Sequence, residues 1–367
     1  MAFSAEDERF FRAALALGRR HLGATAPNPA VGALVARDGL VVGRGATAPG
    51  GRPHAETQAL AQAGERARGA TLYVTLEPCA HHGKTPPCAE AVIAAGIARV
   101  VGGPADPDDR VAGEGYSLLR RAGIAVEADV LPEEGRRAHR GHILRVTEGR
   151  PMVTLKIAQT ADGFAAGDAH DPRLAITGPA ANLRTHVLRA LHDAIMVGIG
   201  TALGDDPLMT VRLPGCDRKP LRVVLDARLD LPLRSRLVVG ARDFPTLVFC
   251  GAGADPARRV ALEEQGVEVA DCDLAGKRID LHAALRALGA RGVTRVFSEG
   301  GPRVGAELIA RGLADEMILF TAPKPFGRAG VEALSAWARD ILADSGLYRV
   351  MEQGLLGADR YIHYERK

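Results

Sequence analysis

The chain has 367 residues, which at roughly 150 residues per domain suggests two domains, each long enough for its own core. Apolar residues make up 47% and charged residues 25%, the balance of a soluble globular protein. Lys+Arg minus Asp+Glu is 47 − 44 = +3 and aromatics are only 4%, which argues against a nucleic-acid partner read through a basic, base-stacking face. The longest weakly apolar run, about 11 residues around Ala194 to Gly204, falls short of the roughly 20 that a membrane span needs. The first residues are acidic and carry no signal-peptide h-region. The cysteines number five, an odd count without an export signal, so reduced thiols in a cytoplasm are expected rather than a disulfide framework.

In chain order, Phe10, Ala14, Leu17 and Leu22 recur at helical spacing, which predicts a helix over 6–22. Ala26-Pro27-Asn28-Pro29 is a loop. Val31 to Val35 and Leu40 to Val42 read as strands about an Arg37-Asp38-Gly39 turn. A helix at 54–68, a strand at 71–76, a helix at 87–95, a strand at 98–101, a helix at 115–122 and a strand at 124–127 follow. That alternation argues an α/β domain with a partly parallel sheet and helices on its faces. The segment 131–145 reads as a helix with Arg136, Arg137, Arg140 and Arg145, either a solvated face or a phosphate contact. Glu148-Gly149-Arg150-Pro151 breaks the pattern, so the domains are expected to span 1–147 and 151–367.

The second half alternates again. Strands are predicted at 152–158, 194–197, 221–225, 246–250, 295–298, 316–320 and 360–364. Helices are predicted at 179–191, 256–265, 280–288 and 303–311. There is no internal repeat, no GxGxxG fingerprint and no Walker A loop.

The strongest chemical signal is His54-Ala55-Glu56, then Pro78-Cys79, then Cys88. One imidazole and two thiolates suit Zn2+, and three protein ligands leave the fourth tetrahedral position open, as in catalytic sites. His54 and Glu56 fall at one predicted helix start, Cys79 after a strand and Cys88 by a second helix start. Helix N-termini favour thiolates. His81 and His82 stand nearby as alternative ligands. Glu56 need not bind the metal: a carboxylate beside metal-bound water can take its proton and pass it to a leaving group. The HxE…PCxxC pattern is the signature of zinc deaminases, although here Ala80 to Pro87 lengthen the gap between the thiols.

His54-Ala55-Glu56, with Thr75-Leu76-Glu77-Pro78-Cys79-Ala80-His81-His82-Gly83-Lys84-Thr85-Pro86-Pro87-Cys88, resembles the cytidine-deaminase-like fold. More narrowly, with Asn28 between two prolines, it resembles the bifunctional riboflavin-biosynthesis deaminase–reductases. The second half resembles their dihydrofolate-reductase-like α/β domain. The resemblance implies hydrolysis of the C2 amino group of 2,5-diamino-6-ribosylamino-4(3H)-pyrimidinone 5′-phosphate, a phosphorylated small-molecule substrate. It then implies reduction of the ribosyl group to ribityl with NADPH. Glu56 is the expected acid/base; His54, Cys79 and Cys88 the expected metal ligands. Asn28, His81 and Lys84 are expected to hold the pyrimidine substrate or its phosphate.

In the second domain the resemblance implies substrate contacts at Arg189, Met209, Arg212 and Glu299. It implies NADPH contacts at Ala158, Thr201, Asp205, Gly301, Pro302, Arg303, Val304 and Gly305. Glu299-Gly300-Gly301-Pro302 before a helix suits a pyrophosphate, because helix-start N–H groups attract anions. Two stretches depart from the family: Arg173-Leu174-Ala175 stands where it usually has Ser and Trp before Ile-Thr, and Asp106-Pro107-Asp108-Asp109 where it has Asp-Pro-Asn-Pro. A homo-oligomer, dimer or higher, is expected. The rival expectation is a nucleobase- or tRNA-editing zinc deaminase with an unrelated second domain.

Overall fold

The computed structural model describes residues 3–82, 86–109, 111–168, 171, 174–344 and 346–367. The chain divides into two compact units, 1–150 and 151–367. Among the described residues no helix is long and apolar enough to cross a membrane.

In the first unit the order is α1 (Ala5–Arg19), β1 (Gly32–Arg37), β2 (Leu40–Ala46), α2 (Ala55–Ala63), β3 (Thr71–Val74) and α3 (Cys88–Ala94). There follow β4 (Arg99–Gly102), α4 (Glu114–Arg121), β5 (Ala125–Glu127), α5 (Pro132–Ala138) and α6 (Arg140–Glu148). The five strands form one sheet in the order β2-β1-β3-β4-β5. β1 runs antiparallel to β2 and β3, while β3, β4 and β5 are parallel. One face buries Val35, Leu72 and Val74 against Ala59 of α2, Val92 of α3 and Leu119 of α4. The other buries Leu34, Tyr73 and Val101 against Phe10 and Phe11 of α1.

α2 lies unusually close to β2. A Cβ on Gly43 would stand 2.1 Å from the Ala59 carbonyl oxygen, and one on Gly45 2.1 Å from that of Ala55. Only glycine permits helix backbone to rest on strand backbone in this way. The predicted helix over 54–68 is shorter than expected: it ends at Ala63, and residues 64–67 tighten into a 3-10 turn at Gly64. The predicted helix over 131–145 is two helices, divided at His139, whose φ of −103° leaves the helical region.

The second unit begins with β6 (Met152–Gln159), β7 (Phe164–Ala166), α7 (Pro179–Ala190), β8 (Ala194–Gly198), α8 (Ile199–Asp205) and β9 (Leu221–Leu225). It continues with α9 (Arg236–Val239), β10 (Thr246–Cys250), α10 (Pro256–Glu264), β11 (Glu268–Asp271), β12 (Leu274–Ala275), β13 (Arg278–Ile279) and α11 (Leu281–Ala290). It closes with β14 (Arg295–Ser298), α12 (Pro302–Ala310), β15 (Glu316–Thr321), β16 (Val331–Glu332), α13 (Ala336–Ala343), β17 (Tyr348–Leu356) and β18 (Asp359–Arg366). Nine strands form a sheet in the order β11-β10-β9-β8-β14-β6-β15-β18-β17. The strands from β11 to β15 in that order are parallel, and the β17–β18 hairpin adds an antiparallel edge. Both faces are covered, so central strands such as Leu247-Val248-Phe249-Cys250 are apolar throughout. β14 returns between β8 and β6, so α8, α12 and the end of β6 leave neighbouring carboxyl ends, where open α/β sheets bind ligands.

Candidate active sites

The first site is built at two helix starts. His54 is the residue before α2, in extended conformation, and Glu56 is in the helix's first turn. Cys88 is the first residue of α3. Cys79 lies past the sheet, because β3 ends at Val74 rather than at Leu76. Two backbone bonds dock it: the Cys88 N–H donates to Cys79 Sγ (3.3 Å) and the Ala89 N–H to the Cys79 carbonyl (3.2 Å).

The three ligand atoms lie within 4.8 Å of one another. His54 Nδ1 is 3.3 Å from Cys88 Sγ and 3.8 Å from Cys79 Sγ. A tetrahedral zinc with ordinary Zn–N and Zn–S bonds has N···S edges of about 3.6 Å, so the donor set fits that ion. The Cys79 thiol is lowered to about 4 by the hydrogen bond from Cys88, with the Cys88 amide and His54 acting in the same direction against burial. Cys88 is pushed up by its bond to Cys79 and by burial. One thiolate is thus already favoured, the form in which sulfur binds metal.

Glu56 is 4% exposed. Burial raises its carboxyl above the usual carboxylate range, against the pull of His54. A buried carboxyl of this kind, beside the three ligand atoms, is placed to exchange protons rather than to bind the metal. Asn28 is half-buried; its Nδ2 donates to the Gly51 carbonyl (2.8 Å) and lies 3.5 Å from His54 Nε2. His81 is half-buried, and its Nδ1 has no hydrogen-bond partner among the described residues. His82 is exposed, 3.7 Å from Glu90, and neither histidine joins the three-ligand group. Lys84 lies outside the described residues. The Arg145 guanidinium donates to the Pro27 carbonyl (3.3 Å) and that of Arg136 to Asp129 (3.3 Å), contacts of an ordinary solvated face.

In the second unit, Glu299 follows β14 and pairs with Arg189 near the end of α7: Nε to Oε1 at 2.5 Å and Nη2 to Oε2 at 2.9 Å. The third face of the guanidinium donates to the Thr210 carbonyl (2.9 Å). Three of the five guanidinium N–H groups of Arg189 are thus held by protein acceptors. Burial works to raise the Glu299 carboxyl, but Arg189, then Lys156 and His186, hold it below the usual range. Arg212 is exposed; its Nη1 donates to Thr210 Oγ1 (3.1 Å) and its backbone N–H to His186 Nδ1 (3.2 Å). Met209 is buried with φ +49°.

Thr201 Oγ1 accepts the Gly301 N–H (3.0 Å), tying the start of α8 to the start of α12. Pro302 is the first residue of α12, one position earlier than the predicted start, and Arg303, Val304 and Gly305 complete its first turn. A Cβ on Gly300 would stand 2.8 Å from Val304, so the turn closes tightly on the helix. Ala158 lies near the end of β6, and Asp205 ends α8.

Sequence reasoning passed over Lys156, His186 and Glu77. Lys156 carried a signal, a lone cation within the apolar strand Met-Val-Thr-Leu-Lys-Ile. His186 carried none.

A His-Cys-Cys group that suits zinc, beside a buried carboxyl, in one α/β unit, followed in sequence by a second α/β unit with a glycine-flanked helix start at its strand ends, is the pattern of a two-domain metal-dependent enzyme. Residues 4–103 match the model of the cytidine and deoxycytidylate deaminase zinc-binding region, and residues 151–336 that of the RibD C-terminal domain. The riboflavin biosynthesis protein RibD of Aquifex aeolicus (strain VF5) is 38% identical over 362 residues, covering 98% of each chain. That of Escherichia coli (strain K12) is 34% identical over 370 residues, covering 98% of this chain and 99% of its own. Among solved structures, Acinetobacter baumannii RibD (form 2) superposes with a TM-score of 0.85 at 33% identity over 99% of both chains. A Thermotoga maritima diaminohydroxyphosphoribosylaminopyrimidine deaminase/5-amino-6-(5-phosphoribosylamino)uracil reductase gives 0.84 at 33% identity over 99% of both. The chain belongs to the RibD family of bifunctional riboflavin-biosynthesis deaminase–reductases. The rival expectation of an unrelated second domain falls with the match across 151–336.

Proposed function

We propose that the first domain, 1–147, removes the C2 amino group of 2,5-diamino-6-ribosylamino-4(3H)-pyrimidinone 5′-phosphate. The second, 151–367, then reduces the ribosyl group of the product, giving 5-amino-6-ribitylamino-uracil 5′-phosphate. The observation that carries this reading is the juxtaposition of His54, Cys79 and Cys88 with buried Glu56, in a chain similar from end to end to such enzymes. Bound zinc supplies a Lewis acid that makes water nucleophilic at neutral pH, and bound NADPH supplies a hydride. His54, Cys79 and Cys88 would hold the metal.

Glu56 moves the protons. It takes one from the attacking water and passes it to the pyrimidine ring nitrogen, then takes the second from the new C2 hydroxyl and gives it to the amino group, which leaves as ammonia while the carbonyl forms. Asn28 offers an amide donor and acceptor to the pyrimidine edge, with His81 and Lys84 from the loop between the thiols. In the second domain Glu299, fixed by Arg189, presents its carboxylate to the substrate beside Met209. Arg212, exposed and planar, is the group suited to the substrate phosphate. Gly301, Pro302, Arg303, Val304 and Gly305 receive the cofactor pyrophosphate at the start of α12, with Thr201 and Asp205 from α8 and Ala158 near the end of β6. Cytoplasmic location and a homo-oligomeric state complete the reading; five free cysteines support a reducing compartment.

The test is incubation with the diaminopyrimidine substrate, with and without NADPH, and mass spectrometry of the products. Deaminated product without NADPH and ribityl product with it are expected. Deamination with no consumption of NADPH would leave a deaminase only.

A further inference from the structure

Glu77 takes no part in the metal group, yet it is buried two residues before the ligand Cys79, at 4% exposure. Its carboxylate accepts three backbone N–H groups: Asp106 (3.1 Å) and Gly113 (2.9 Å) on Oε2, Tyr116 (3.1 Å) on Oε1. Its own N–H donates to the Pro104 carbonyl (3.2 Å). A Cβ on Gly115 would stand 2.0 Å from the Pro78 carbonyl oxygen, so the start of α4 seats against the same two residues. Past Val74 the chain has left the β3 ladder, and these contacts replace the sheet as its support.

We propose that Glu77 is a positioning residue of the deaminase. Its carboxylate clamps Glu77-Pro78 onto the 104–116 segment and so sets the direction from which Cys79 presents its sulfur to the metal. The proline between them passes the constraint on, because its ring fixes one of the intervening backbone angles. The chemistry demands a carboxylate: three donors converge on two oxygens that only accept. Glutamine would turn an NH2 group against at least one of those N–H groups and leave it buried without a partner. This inference rests on reading His54, Cys79 and Cys88 as the zinc group.

The experiment uses the full-length zinc-loaded protein and Glu77→Gln. The variant should release zinc to a chelator at least about tenfold faster. In the Co2+-substituted form its thiolate-to-metal and ligand-field bands should shift. Deaminase kcat should fall at least about tenfold with KM nearly unchanged, and reduction of supplied intermediate should stay at the wild-type rate. A folded variant with wild-type zinc release and an unchanged Co2+ spectrum overturns the proposal. Should Glu77→Gln fail to fold, amide exchange of the wild-type protein decides. Coupling is reciprocal, so zinc removal should speed exchange at Asp106, Gly113 and Tyr116 while leaving Thr246–Cys250 unchanged. Equal exchange with and without zinc at those three amides overturns it. A wild-type protein that binds no zinc overturns the underlying reading, which metal analysis tells apart from failure of the clamp alone.

Discussion

The two units solve the same problem, placing reactive groups at strand and helix ends, in opposite ways. In the first, the ligands sit on or beside two helix starts, their donor atoms 3.3 to 3.8 Å apart where His54 meets the thiols. In the second, the candidate groups are spread over β6, α7, α8, the loop at Met209 and Arg212, and α12. A metal draws its ligands into one small polyhedron, whereas a long dinucleotide and a phosphorylated sugar need contacts along a cleft. The compact site should fail all at once when touched, and the spread site by degrees.

The sharpest break is expected at the compact site. Glu56→Gln keeps size and leaves the three ligands in place, so zinc should stay bound while deamination falls by about 10²–10⁴. Reduction of supplied intermediate should barely change, because Arg189 and Glu299 belong to the other unit. Product analysis with metal determination checks both; wild-type deamination would sink the role given to Glu56. Cys88→Ala should instead remove most of the zinc. Full zinc retention would point to His81 or His82 as the ligand.

Arg189→Ala comes next. It removes the bidentate partner of Glu299, whose side chain is 14% exposed, and breaking such a largely buried pair on one side costs up to about 3–5 kcal/mol. Urea unfolding should show the loss, and the deaminated product should accumulate. An unchanged rate of reduction would separate the pair from the reaction.

Acid should erode each unit through a buried neutral histidine. Burial depresses His139 to about 4 in the first unit and His192 to about 3 in the second. The folded forms hold these rings neutral, so the stability they contribute is complete above the unfolded pKa near 6.5 and is lost as pH falls toward the folded values. The shifts correspond to about 3 kcal/mol for His139 and about 5 kcal/mol for His192. Unfolding free energies of wild type and His192→Gln between pH 7 and 4 should show a flatter acid slope in the variant; equal slopes would refute the assignment.

The smallest effect is expected at the spread site. Gly300→Ala drives a methyl against Val304, an overpacking cost of about 1–3 kcal/mol, and should weaken NADPH binding without abolishing reduction. Fluorescence titration of NADPH measures it. Complete loss of reduction would show that the second site is as brittle as the first.

Much of this contrast was legible in the residues. The metal group was readable because His54, Glu56, Cys79 and Cys88 are rare residue types crowded into a short span. Strands such as Leu221–Leu225 and Thr246–Cys250 were readable because burial on both faces writes a short, mostly apolar run, Val223-Val224-Leu225 in one and Leu247-Val248-Phe249-Cys250 in the other. β11 and β17, at the two edges of the sheet, went unpredicted: Glu268-Val269-Ala270-Asp271 is short and charged, and Tyr348–Leu356 is half polar. The break at His139 was hidden for another reason, since the basic helical pattern runs straight through it. The Arg189–Glu299 pair was invisible as a pair, because 110 residues separate partners that only the sheet brings together.

The glycines of β2 bear on how such a protein tolerates change. Gly43 and Gly45 let the helix that carries Glu56 and follows directly on His54 rest on strand backbone. No layer of side chains intervenes to be repacked, so this contact has no cushion. A saturation library over 40–46 should show an alternating profile, with Gly43 and Gly45 nearly intolerant and Leu40 and Val41, which are exposed, widely permissive. If Asn28 and the loop between the thiols hold the pyrimidine as proposed, directed evolution toward new pyrimidines would draw its variation from there, because the floor beneath α2 offers none.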